Sequence, residues 1–194
     1  MLSHCNAARL ILPLLLVHAL LLGARETPCF AQLIADVWSR ERSVRDVVFS
    51  PDGKRVASAH ESGNVRLWHA STGEFDLTLD GPDGNVESIA FSADSERVAS
   101  GHEDGSVRVW DLAQQKTIGT LDTEGGDVRD LAFSLDGQFL AAAAGSEIQV
   151  WDVDGFRKKT TLRGHTWLVH AIAFSPNGKH LVSKQAYCLA VCGS

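Results

Sequence analysis

Apolar residues recur along this chain in short alternating bursts, and the bursts themselves recur. In Val44–Phe49 the apolar places include Val44, Val47 and Phe49. Val65 and Leu67 alternate with Asn64 and Arg66 before Trp68, and Phe75, Leu77 and Leu79 alternate with Asp76 and Thr78. A period of two is the period of a strand, whose successive side chains point to opposite faces. Ser50-Pro51-Asp52-Gly53 and Ser71-Thr72-Gly73-Glu74 are turn formers, and a polar loop runs from His60 to Asn64. The unit therefore predicts four strands: one opening at Val44, then Arg55–Ser58, Val65–Trp68 and Phe75–Leu79. Turns every eight to twelve residues or so, with no helical stretch between them, predict an all-β fold.

The unit then repeats. Val44–Trp68 returns as Val86–Trp110 and again as Val128–Trp151, and a fourth copy opens at Val169. Phe49, Phe91, Phe133 and Phe174 are spaced by 42, 42 and 41 residues, and Trp68, Trp110 and Trp151 by 42 and 41. A fixed period of this length signals a repeat architecture.

These units resemble the WD40 repeat. The Trp-Asp dipeptide stands at Trp110-Asp111 and Trp151-Asp152 and has drifted to Trp68-His69; the Gly-His dipeptide survives as Gly164-His165. Arg40, Gly81-Pro82 and Thr123-Glu124 occupy its other places. The resemblance covers roughly residues 32 to 183 and implies a β-propeller built of four-stranded antiparallel blades. Repeats are expected at about 39–80, 81–122 and 123–163, with a partial one at 164–183. That makes about three complete blades and one partial, an incomplete ring.

Composition changes this picture little. Of 194 residues, 44% are hydrophobic and 22% charged, as in a globular chain. The formal charge of −6, with no basic stripe, speaks against nucleic acid as a partner.

The two ends stand outside the pattern. Leu10–Leu22 is an apolar run of 13 residues preceded by Arg9. At about 1.5 Å per residue it is too short for the hydrocarbon core and reads as a signal peptide over residues 1–31. Cleavage after Ala31 is expected, with Ala24 as the alternative site and an uncleaved signal-anchor as the alternative topology. No stable membrane span is expected after cleavage, and the mature chain is expected in the periplasm or outside the cell. Val37 precedes Phe49 by 12 residues, as Leu79, Leu121 and Leu162 precede the later phenylalanines, so Gln32–Trp38 reads as a fourth strand that closes another blade. At the other end, residues 184–194 lack an Asp-Gly turn and place Cys192 where a tryptophan is due. They read as a tail outside the repeat, truncated or frame-shifted, although Leu189 and Val191 keep the inward places of a third strand. A degenerate last blade is the alternative. Cys188 and Cys192, four apart in a strand, are too distant to bridge.

The resemblance also implies a structural hydrogen-bond set of His, Ser, Asp and Trp within a blade. Ser58, Ser100 and Ser183 match its serine, Asp104 its aspartate, His165 its histidine, and Trp68, Trp110 and Trp151 its tryptophan. Ala142, Ser62 and Gly145 depart from it, so no unit is complete and apolar packing is expected to hold the blades. His60-Glu61 and His102-Glu103 read as solvated loop residues rather than metal ligands, and no metal or cofactor is expected. Asp46 and Asp130 read as turn or capping acids. Ser50, Ser92, Ser134 and Ser175 recur in every unit and belong to the fold. No nucleophile elbow, phosphate loop, zinc motif or dinucleotide fingerprint is present.

Partner contacts in this family often flank the opening valine of the first strand and precede the loop aspartate. By position these are Ser43, Arg45, Asn85, Glu87, Asp127, Arg129, Leu168 and His170, with Glu61 and Glu103. Arg45, Glu87, Arg129 and His170 differ while the frame around them repeats. The expectation is a non-enzymatic scaffold that binds a protein partner through one propeller face; an incomplete ring is expected to self-associate or to need the missing blades. The alternative is an N-terminal fragment of an enzymatic or larger multi-domain propeller protein whose active site lies in missing blades.

Overall fold

The computed structural model describes residues 43–81, 83–185 and 188–193, the last stretch through its backbone alone. The signal peptide, both cleavage sites and the strand at Gln32–Trp38 lie outside the described residues.

Among the described residues the fold is all-β. The first blade is β1 (Val44–Phe49), β2 (Arg55–His60), β3 (Val65–His69) and β4 (Phe75–Leu79), paired antiparallel in that order. The second is β5 (Val86–Phe91), β6 (Arg97–His102), β7 (Ser106–Asp111) and β8 (Lys116–Asp122). The third is β9 (Val128–Phe133), β10 (Phe139–Ala144), β11 (Glu147–Asp152) and β12 (Arg157–Leu162). In the fourth, β13 (Val169–Phe174) and β14 (His180–Gln185) are joined by β15 (Cys188–Gly193) in a three-stranded sheet. β15 pairs with β14 from His180↔Gly193 to Gln185↔Cys188. The stretch that the sequence placed outside the repeat thus continues it in backbone. A ladder needs only main-chain donors and acceptors, so it survives where the side-chain pattern has gone.

Each first-to-second-strand turn is closed by the same residues. Ser50 Oγ donates to Asp52 Oδ1 at 2.6 Å and accepts from Arg55 N at 2.9 Å. Ser134 and Asp136 repeat the arrangement with Phe139, and Ser175 and Asn177 with His180. The fourth turn position needs a left-handed backbone, with φ of 70° at Gly53 and 62° at Ser95. Ser95 bears that conformation while its Oγ accepts from Asp52 N of the preceding blade at 3.1 Å.

The core lies between blades. Ala57, Ala59, Val65, Leu67 and Leu79 of the first blade pack against Val86, Ile89, Phe91, Val98 and Trp110 of the second. The second and third, and the third and fourth, repeat this contact. Neighbouring first strands β1, β5, β9 and β13 pack side by side and form the inner wall. Among the described residues the four sheets do not close into a ring. Val47, on the face that no described blade covers, is 47% exposed, whereas its equivalents Ile89, Leu131 and Ile172 are 3%, 5% and 7% exposed.

Side chains of the first strands also tie the blades together. Asp46 Oδ1 accepts from its neighbour Val47 N at 2.8 Å, and its Oδ2 from Ile89 N of the next blade at 2.9 Å. Asp130 does the same with Leu131 N at 3.0 Å and Ile172 N at 2.6 Å. Between them Ser88 Oγ donates to Val128 O at 2.9 Å. The repeated acid is therefore a clasp between blades.

Candidate partner-binding face

Antiparallel pairing brings the start of each first strand to the end of each second strand: Val44↔His60, Val86↔His102, Val128↔Ala144 and Val169↔Gln185. The loops that enter the first strands and the turns that leave the second strands therefore share one end of the blades.

Every first strand carries a bulge at this end. The register steps from Val44↔His60 to Asp46↔Ala59, which leaves Arg45 as the extra residue. It steps from Val86 to Ser88, from Val128 to Asp130 and from Val169 to Ala171, leaving Glu87, Arg129 and His170. A bulge inserts one residue without a partner, bends the strand and re-aims that side chain. The bulge place therefore holds Arg, Glu, Arg and His in the four copies. The same step puts Asp46, Ser88 and Asp130 in place to clasp the next blade.

The remaining candidates lie around them. Arg45 Nη2 meets Glu61 Oε1 at 2.8 Å, and Arg45 Nη1 lies 3.8 Å from Glu87 Oε2 on the second blade. Asn85 Nδ2 donates to Glu103 Oε2 at 2.7 Å. Arg129 Nη2 lies 3.2 Å from Asp127 Oδ2. Glu61 N reaches Ser43 O at 3.4 Å and Glu103 N reaches Asn85 O at 3.1 Å, so the turns are tied to the strand entrances. Leu168 enters the fourth blade beside Trp167, which is 62% exposed. Trp167 stands outside the tryptophan period, and that was the one sign of it in the sequence.

The chain matches WD domain, G-beta repeat over residues 36–69, 73–111, 115–152 and 156–193. It belongs to the WD40 repeat family. The last match runs through the strand β15. WD40 domains in general mediate contacts between proteins, and the family is in general non-enzymatic. No curated protein matches the chain.

Beneath the face lies the structural hydrogen-bond set of this WD40 protein, and it corrects two expectations. Trp68 Nε1 donates to Ser58 Oγ at 3.1 Å, and Ser58 Oγ lies 2.8 Å from His60 Nε2. Trp110 Nε1, Ser100 Oγ and His102 Nε2 repeat this at 3.0 Å and 3.0 Å. His60 and His102 are therefore buried members of the set rather than solvated loop residues; only Glu61 and Glu103 are exposed. The set exists in the first two blades, alongside the apolar packing, because a histidine two residues after the serine supplies the ring. Two places along a strand return to the same face, so the ring lands on the serine. In the fourth blade His165 does fill the role, with Nε2 2.7 Å from Ser183 Oγ and Nδ1 3.0 Å from Gln185 Oε1. In the third, Ala142 and Ala144 replace serine and histidine, and Trp151 is buried in apolar contact. Asp104 joins by charge alone: its Oδ1 accepts from Ser106 N at 2.8 Å and caps the turn.

Burial pushes the His102 imidazole down to about 4, with Asp104 opposing and Arg108 assisting. Burial raises Asp130 to about 6; the Ile172 and Leu131 amides oppose this, and the Asp46 carboxylate adds to it. His102 is thus neutral at pH 7 and hydrogen-bonds as a neutral ring.

Proposed function

We propose that this chain is an interaction scaffold that binds a protein partner across the bulge-bearing end of its blades. One observation carries the reading: the same bulge in four successive first strands turns out Arg45, Glu87, Arg129 and His170, so one repeated place presents three kinds of side chain, two cationic residues, an acid and a histidine. A frame that repeats while its presented residues change is a means of writing a surface on a rigid support. Ser43, Glu61, Asn85, Glu103, Asp127 and Leu168 complete that surface. The apolar run Leu10–Leu22 behind Arg9 supports export as the chain's destination.

A photo-reactive amino acid placed at Glu87 or His170, in cells of the protein's source, tests the face. Adducts of one discrete mass are expected there and not from the same probe at Leu135, in the turn at the opposite end. Adducts from Leu135 alone would overturn the reading. N-terminal sequencing of the accumulated protein tests export, with Gln32 expected as the first residue.

A further inference from the structure

We propose that the occupant of this face is an extended, cationic protein segment with an apolar anchor residue. The inference rests on the partner-binding reading above and adds the chemistry of the partner.

The first argument is charge. On the second blade Glu87, Glu103 and Asp104 stand together at this end, with Glu61 on the first and Asp127 on the third. Three guanidiniums stand among these five carboxylates: Arg45 meets Glu61 at 2.8 Å and lies 3.8 Å from Glu87, Arg129 meets Asp127 at 3.2 Å, and Arg108 acts on Asp104 by charge. Glu103 is met by the amide of Asn85, which carries no charge. The surface is therefore acidic in excess over three blades. A cationic ligand gains from that excess, and an anionic one is repelled.

The second argument is the anchor. Among the described residues Trp167 is the most exposed large apolar side chain, at 62%, and Leu168 beside it is 42% exposed. Trp68, Trp110 and Trp151 are all buried. Tryptophan is enriched among the few residues that carry the energy of protein interfaces.

The third argument is rigidity. Thr166 N donates to Gln185 Oε1 at 3.2 Å, and Val169 N donates to Gly145 O at 2.8 Å, so both flanks of Trp167 are held. An anchor already in place loses little entropy on binding. Acid on three blades and an apolar pair on the fourth require a ligand that reaches across blades, which a lone metal cation or polyamine lacking an apolar part does not satisfy.

The test uses the full chain and three fluorescein-labelled peptides of equal length, alternating lysine–leucine, glutamate–leucine and lysine–glycine, followed by anisotropy. The lysine–leucine peptide is expected to bind at least about tenfold more tightly than either other peptide. Its binding should weaken as salt is raised. Trp167→Ala should weaken it about tenfold, and Glu87→Lys with Glu103→Lys should shift preference towards the glutamate peptide. Leu135→Ala, at the opposite end, should leave it unchanged. These residues are surface-exposed or half-buried, so circular dichroism should show all variants folded. Equal binding of the lysine–leucine and glutamate–leucine peptides, or an unchanged preference after charge reversal, would overturn the cationic occupant. If Trp167→Ala still weakened binding, the face itself would stand. A response to Leu135→Ala but not to Trp167→Ala would overturn both readings. Equal binding of the lysine–glycine peptide would remove the apolar anchor. Failure of all three peptides to bind would overturn the cationic segment and leave the face to the cross-linking result.

Discussion

At the scale of single residues, burial sets the cost of each polar group. Ser100 Oγ receives the Trp110 indole proton and meets His102, all three out of water. Ser100→Ala should cost about 1–3 kcal/mol in urea unfolding, because it strands two buried groups at once. Gln149 is the converse case. It is fully buried opposite Ala142, and neither side-chain polar atom has a hydrogen-bond partner among the described residues. Gln149→Leu is expected to raise the free energy of unfolding in urea by roughly 1 kcal/mol, since it removes buried polarity and keeps most of the volume. The motif residues of this set were legible one by one, because Ser58, Ser100, Trp68 and Trp110 recur with the period. The ring that completes it was not. His60 and His102 sit in a sequence that reads as a polar turn, and only the register of β2 and β6 shows that they end a buried strand.

At the scale of elements, the clasp between blades and the hydrogen-bond set within them make stability depend on pH in opposed ways. Asp130 has its folded-state pKa raised to about 6 from 3.8, so its contribution is most favourable below 3.8 and is lost as pH rises through about 6. His102 has its value lowered from 6.5 to about 4, so its contribution is full above 6.5 and is lost as pH falls towards about 4. Each shift of roughly two units corresponds to about 3 kcal/mol. Asp130→Asn should therefore compare better with the parent at pH 7 than at pH 4, by about 2 kcal/mol across that range. Denaturant titrations of both proteins at the two pH values check the sign. A difference that grows in the other direction would remove Asp130 as a buried, costly charge. The Ser50 hydroxyl and the Lys54 amide hold Asp52 below the usual carboxylate range, and the Ser134 hydroxyl and the Gln138 amide do the same for Asp136. These exposed turns therefore lose stability only in stronger acid.

At the scale of the whole molecule, position in the row of blades decides what one motif is worth. Phe49 and Phe91 occupy the same place in the same turn-preceding strand. Phe91 is buried against the first blade, and Phe49 lies on the open face, where it is about half exposed. Phe91→Ala should destabilise by about 3–5 kcal/mol, and Phe49→Ala by about 1 kcal/mol or less. Parallel urea titrations of the two variants measure the difference directly; equal losses would mean that the open face is covered in solution. Val47→Asp on the same face should reduce association at high concentration while leaving the unfolding midpoint nearly unchanged. A sedimentation series of parent and variant reads that out.

The sequence by itself determined the all-β class, the four units, their turns and the membership of the WD40 family. Those features are local: a period of two makes a strand, Ser-Pro-Asp-Gly makes a turn, and a period near 42 repeats them. It also named Arg45, Glu87, Arg129 and His170, by their place after the opening valine of each unit, before their geometry was known. Only the tertiary structure decided why those positions are presented. A bulge is a difference of register between two strands, and register is a property of the pair rather than of either segment. The same holds for the ring of His60 on Ser58, the clasp of Asp46 on Ile89 and the burial that divides Phe91 from Phe49. Each depends on a residue from another strand or another blade, and the spacing of residues along one chain does not encode that neighbour.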